Sequence, residues 1–156
     1  MKVAGMIAGL IGILVLVIVL AILIWYGHGL WLKTKFRIRH GRKGRFILFV
    51  YSNSPNWKDY IESNVLPRVE NYSIALNWSE RKKWKDQSPF EARVFRRFAG
   101  NSAFNPIAII LPPRGKVKVI RFWQGFRDFK HGNDKALRQA EEELFSEIDQ
   151  VTSKTD

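Results

Sequence analysis

Residues Val3 to Tyr26 read VAGMIAGLIGILVLVIVLAILIWY, 24 positions without a charge or a proline. At 1.5 Å per residue a helix of that length spans about 36 Å, enough for a hydrocarbon core of about 30 Å with some tilt. The run therefore predicts a membrane-spanning anchor over 1–26. A cleaved secretory signal fits less well, since it needs a short apolar stretch and a small-x-small cleavage site. Here only Lys2 precedes the run, and Trp25-Tyr26-Gly27-His28 offers no such site. Trp25, Tyr26 and Trp31 fit an interfacial aromatic belt. Ala4, Ala8 and Gly12 repeat every four residues and Gly5 with Gly9 makes a GxxxG pair. Small residues at this spacing permit close helix approach, so Gly5, Gly9 and Gly12 are candidate contacts of a homodimer through the membrane helix.

Charge sets the orientation. After the apolar run come Lys33, Lys35, Arg37, Arg39, Arg42, Lys43 and Arg45, seven cations within 13 residues and no acid. Lys and Arg beside a span stay on the cytoplasmic side, which predicts a cytosolic C-terminal part at a bacterial inner membrane or an organelle membrane. The formal net charge of +12 is concentrated here: residues 1–45 carry +8, and residues 46–156 carry +4. The same seven residues are candidate lipid-facing contacts for anionic headgroups, beside the plainer reading of a topology signal. With so few aromatics interleaved, the tract argues against nucleic acid as a partner.

The chain has no cysteine. That excludes a disulfide framework, a redox CxxC pair, a thiolate nucleophile and a cysteine zinc site. His28, His40 and His131 lack metal-ligand spacing, and no P-loop, nucleophile elbow or EF-hand loop is present, so the sequence implies no catalytic set, no metal and no cofactor. Glu141, Glu142 and Glu143 are consecutive on a helix and radiate in different directions, as on a solvated face.

Residues 27–44 read as a basic connector without a regular helix, and the alternation of Lys33 to Arg39 permits a short strand. From 45 to 150 the pattern is that of one compact domain, followed by a tail over 151–156. Phe46 to Tyr51 reads as a buried strand. Ser54 and Pro55 form an N-cap and first helical position, with Trp57, Tyr60, Ile61, Val65 and Val69 on one face and Pro67 to kink or end the helix. Ser73 to Trp78 is a second strand. Ser88-Pro89-Phe90-Glu91 is a capping box opening a helix that stops near Gly100. Ile107 to Leu111, the turn Pro112-Pro113-Arg114-Gly115 and Lys116 to Trp123 form a hairpin. A last helix, about Asn133 to Gln150, carries Leu137, Ala140, Leu144, Ile148 and Val151 on one stripe. The order β-α-β-α-β-β-α predicts a mixed α/β sheet, its first two strands parallel and its last two antiparallel.

Over residues 45–150 the chain resembles the thioredoxin-like family. The carriers are Phe49-Val50-Tyr51-Ser52-Asn53-Ser54-Pro55-Asn56-Trp57-Lys58 and the segment from Phe104-Asn105-Pro106 to Lys116-Val117. The resemblance implies a cis peptide before Pro106. It also implies a groove for extended peptide formed by Ser54, Asn56, Trp57, Asn105 and Pro106, with a protein as partner. Where the family has Cys-x-x-Cys, this chain has Ser54-Pro55-Asn56-Trp57, and a hydroxyl forms no disulfide, so redox chemistry is lost. Ser54-Pro55-Asn56 also resembles the start of some glutathione transferases, in which a serine hydroxyl meets the glutathione sulfur. That family's acidic-Ser pair is missing, and no room remains for its helical second domain. The reading is a single-pass membrane protein presenting a non-redox thioredoxin-like domain as a binding or scaffold module. The alternatives are a thiol-binding enzyme using Ser54, and a regulator that meets lipid through its basic collar.

Overall fold

The computed structural model describes residues 2–83, 89–100 and 104–154, without the side chains of residues 2–6 and 8. Two compact units are present, Met1–Thr34 and Lys35–Asp156.

The first unit lies in helix α1 (Lys2–His40). From Leu10 to Ile24 the large apolar side chains stand 45–72% exposed, a row far larger than the apolar patches that water-soluble monomers tolerate. Among the described residues this is the one helix long and apolar enough to cross a membrane. Trp25 and Tyr26 meet edge to face at 5.1 Å, and Trp31 stacks on His28 at 6.1 Å.

α1 continues helically to His40, which corrects the expectation of a non-helical connector with a short strand. The charge alternation mimics a strand period, but no glycine or proline interrupts residues 30–40. Phe36 is fully buried, one helical turn before His40, and their rings lie 4.8 Å apart. That i,i+4 apolar face decides the conformation. A short 3₁₀ turn, Gly41–Lys43, follows, and Gly44 ends it at φ 72°, where its N–H donates to the Gly41 carbonyl. Only glycine adopts that left-handed geometry freely.

The second unit is built on a four-stranded sheet of β1 (Ile47–Tyr51), β2 (Ser73–Asn77), β3 (Ile107–Ile110) and β4 (Lys118–Arg121) in the order β2-β1-β3-β4. β1 runs parallel to β2 and β3 is antiparallel to β4, as the sequence order predicts, and β1 also pairs antiparallel with β3. β1 and β3 are buried at every position, as central strands covered on both faces must be. The edge strands β2 and β4 are only partly buried.

Between β1 and β2 the chain forms α2 (Lys58–Tyr60), a π-turn over Ile61–Val65, and α3 (Leu66–Val69). Pro67 explains the break. It supplies no N–H to the preceding turn, and the helix widens so that the Leu66 N–H reaches the Ile61 carbonyl. After β2 come a 3₁₀ stretch, Trp78–Lys83, and α4 (Phe90–Phe98). After β4 come α5 (Trp123–Phe129) and α6 (Lys135–Thr152). Ile47, Phe49, Ala108, Ile110, Ile120 and Phe122 form one core with Ile61, Val65 and Val69, with Phe126 of α5, and with the α6 stripe Leu137, Ala140, Leu144 and Ile148. The buried Ala92, Val94 and Phe95 belong to α4, which packs against β1.

α5 has no counterpart in the sequence reading, which carried a strand through to Trp123. Glycine weakens a helix interior, and Gly125 lies inside α5 because α6 passes directly over it. A Cβ at this position would come within 2.7 Å of Leu137 Cα.

Candidate functional site

β1 and β2 are parallel and both end at one edge of the sheet, with Tyr51 opposite Asn77. β3 runs the other way and begins at that edge, Ile107 lying opposite Val50. The loops after β1, after β2 and before β3 therefore converge, and all five sequence-predicted groove residues lie in two of them.

The β1 loop is fastened to its neighbour by side chains. Asn53 N–H donates to Ser79 Oγ at 2.9 Å, Asn77 Nδ2 donates to Asn53 Oδ1 at 2.6 Å, and Ser79 N–H donates to Asn77 Oδ1 at 3.0 Å. Ser54 is not the N-cap that the sequence suggested. The helix starts at Lys58, Trp57 holds the cap position, and no side chain caps it. Instead the Ser54 carbonyl accepts from the N–H groups of Trp57 (3.2 Å) and Lys58 (2.9 Å). Its hydroxyl accepts from Asn56 N–H at 3.4 Å. Pro55, with its fixed φ, suits the second position of that turn. Asn56 is exposed, and Ser54 and Trp57 are half-buried.

The Asn105–Pro106 peptide is cis. Pro106 is buried, and its carbonyl accepts from Phe122 N–H at 3.0 Å, which draws the start of α5 to the same edge. The aromatic rings link these pieces. Trp57 lies 6.2 Å from Phe126, and Phe104, which is 59% exposed, stacks on Trp123 at 5.2 Å. Trp123 is half-buried; its stacking with Phe104 joins residues too far apart in the chain to leave a periodic signal.

Among the described residues, two buried polar atoms at this edge find no hydrogen-bond partner: the indole donor Trp57 Nε1 and the amide acceptor Asn105 Oδ1. A buried group left unpaired costs about 1–3 kcal/mol, so such atoms are rare and call for an explanation.

Beside the edge, two phenols are engaged. Tyr51 donates to Glu62 Oε1 at 3.0 Å, and Tyr60 donates to Glu141 Oε1 at 2.8 Å. Burial first, then the hydrogen bond to the carboxylate, pushes each phenol from 10.0 up to about 12. A folded pKa above the unfolded value means that the stabilisation is whole below pH 10 and is lost as pH rises through about 12. Ultraviolet phenolate titration should show two late-titrating tyrosines, one disappearing in Tyr51→Phe and the other in Tyr60→Phe.

The basic collar does not form one face. As a strand, Lys33, Lys35, Arg37 and Arg39 would share a side; on a helix, successive ones lie about 200° apart. Lys35 and Arg39 lie 5.6 and 5.8 Å from the Phe90 ring, and Arg39 is also 3.7 Å from Glu91. Arg37, Arg42 and Lys43 are exposed, whereas Lys33 and Arg45 are half-buried. Glu91, read as part of a capping box, instead has Oε1 2.8 Å from His40 Nε2 with both side chains nearly buried. Its expected capping partner Ser88 lies outside the described residues, as does Trp84. Trp78 is half-buried, 4.6 Å from Phe95.

In the apolar helix, a Cβ at Gly9 or Gly12 would meet nothing within 4 Å. Side-chain surroundings at Gly5 lie outside the described residues. Among the described residues no group of three His, Asp or Glu is placed to hold a metal ion. No family model matches the chain, and neither a curated protein nor a solved structure matches it.

Proposed function

We propose that this is a membrane-anchored, non-redox thioredoxin-like module that binds an extended polypeptide segment on the cytosolic side. The observation that carries the reading is the orphaned pair, Trp57 Nε1 and Asn105 Oδ1, at one edge of the sheet. Both atoms are covered in the free chain; a main chain that displaces what covers them brings a carbonyl for the indole donor and an N–H for the amide acceptor. This is the polar part of recognition by strand addition. The exposed Phe104 and its partner Trp123 supply an apolar contact for a side chain of the bound segment. The thioredoxin-like part of this reading is supported by a mixed sheet in which β1 is parallel to β2 and β3 antiparallel to β4. Without cysteine, the module holds its partner and does not oxidise or reduce it.

Peptide-library selection on the full chain in neutral-lipid nanodiscs tests the binding. Selected peptides should bind Asn105→Ala and Trp57→Phe about tenfold more weakly, the equivalent of one hydrogen bond each. Equal affinity for wild type and both variants would sink the groove.

Anchoring and sidedness rest on the exposed apolar row and on the cations that follow it. A C-terminal fluorescent reporter should be active in the cytosol, and a reporter restricted to the exterior should be silent. If the small residues pair copies of the helix, Gly9→Leu with Gly12→Leu should abolish crosslinked dimer without unfolding the chain, since neither glycine is packed against the chain's own atoms.

A further inference from the structure

The sheet's opposite edge carries a second feature, independent of the groove reading. There β3 passes to β4 through Pro112-Pro113-Arg114-Gly115, and this turn forms one wall of a cavity of about 610 Å³. Arg37 of α1 and the end of α6, with Lys154 beyond it, complete the lining. The volume falls within the range of about 300–1,000 Å³ usual for small-ligand sites.

The charge on its walls is one-sided. Among the described residues, Arg37, Arg114, Lys116, Lys118 and Lys154 line it, against one carboxylate, Glu147. Glu147 is ion-paired with Lys118. Among the described residues, no carboxylate pairs with Arg37, Arg114, Lys116 or Lys154. These four come from three separate parts of the chain, so their approach is a product of the fold and not of a local basic run. Like charges brought together repel, and a bound anion relieves that repulsion.

We propose that this cavity binds an anion carrying two or more phosphate groups. Two guanidinium groups provide planar forks that match phosphate oxygens, and the lysines act as point charges around them. With Glu147 taken by Lys118, four cations remain that no carboxylate among the described residues matches. Among the described residues no aromatic side chain lines the cavity, so they offer a nucleobase no stacking surface, and the proposed ligand carries phosphate without a base. Two sources share this chemistry: a free polyphosphate, and the headgroup of a lipid bearing two phosphates. Arg37 follows the apolar run by eleven residues in the sequence, which makes the lipid source worth a separate arm.

The full chain in phosphatidylcholine nanodiscs, titrated calorimetrically with inorganic pyrophosphate, tests the site. Binding is expected, and Arg114→Ala/Lys116→Ala/Lys154→Ala should weaken it about 100-fold. Arg42→Ala/Lys43→Ala removes exposed collar cations outside the cavity and should change affinity less than about twofold. Repeating the titration in nanodiscs containing cardiolipin separates the sources. A pyrophosphate affinity reduced about tenfold in the wild type, and not in the triple variant, assigns the cavity to a lipid headgroup. An unchanged affinity assigns it to soluble phosphate. The proposal is overturned if pyrophosphate does not bind the wild type, or if the collar variant loses as much affinity as the cavity variant.

Discussion

Replacing Gly125 with alanine is expected to destabilise the second unit by about 2–3 kcal/mol, although the same change in an exposed helix stabilises by about 1 kcal/mol. The sign reverses because the added Cβ would come within 2.7 Å of Leu137 Cα and 2.8 Å of Leu137 N. Both are backbone atoms of α6 and cannot rotate away. Relief requires α5 and α6 to separate, and that opens the core around Phe126 and Leu137, which are 1% exposed. Valine at this position should do more damage still. Urea unfolding of the detergent-solubilised full chain, followed by tryptophan fluorescence, measures the effect. A neutral or stabilising Gly125→Ala would mean that the two helices do not pack this closely.

The second large effect is expected at His40 and Glu91. Their side chains are 13% and 11% exposed, and Glu91 Oε1 lies 2.8 Å from His40 Nε2. This contact fastens the end of α1 to α4, across 51 positions of sequence. Removing one member of a nearly buried, charge-assisted pair leaves the other desolvated without its partner, so Glu91→Ala should cost about 3 kcal/mol. Glu91→Gln keeps an acceptor of similar shape and should cost about 1 kcal/mol. His40→Ala alone leaves Glu91 with the longer contact to Arg39 at 3.7 Å. If the two side chains act on each other, the double variant should be about 1–2 kcal/mol less damaging than the sum of the single changes. Strict additivity would contradict the contact.

Where one local pattern dominated, the sequence was enough. β1 and β3 are continuous apolar runs, and the α6 stripe keeps a helical period throughout, so each stood out with its burial. The hairpin between β3 and β4 was marked by its Pro-Pro-Arg-Gly turn. Errors arose where a distant contact outweighed a local signal. Alternating cations between Lys33 and Arg39 looked like a strand, but Phe36 and His40 are held a helical turn apart by their burial in the second unit. The helix α5 was not foreseen, because the contact that holds Gly125 inside it comes from α6, later in the chain. Glu91 looked like a cap because its partner His40 is far off in sequence.

The candidate groove divides the same way. Ser54 and Pro55 were legible as punctuation after a strand, whereas Asn105 and Pro106 were named only through the family resemblance. Nothing in residue order reveals that Trp57 Nε1 and Asn105 Oδ1 are buried without a partner among the described residues, since that depends on what distant parts of the fold provide. The phosphate cavity was invisible for a related reason. Of its unmatched cations, only Arg37 belonged to a recognisable basic tract, and Arg114, Lys116 and Lys154 are scattered among ordinary loop residues.

The most direct test of the binding role is the nitrogen–proton signal of the Trp57 indole, recorded in the full chain before and after saturation with a selected peptide. The account predicts a marked downfield shift and slowed solvent exchange as the orphaned donor gains a carbonyl, and no such response in Trp57→Phe, where the signal is absent. A peptide that binds while leaving this signal in place would contradict the groove, and so would a selection that returns no peptide at all.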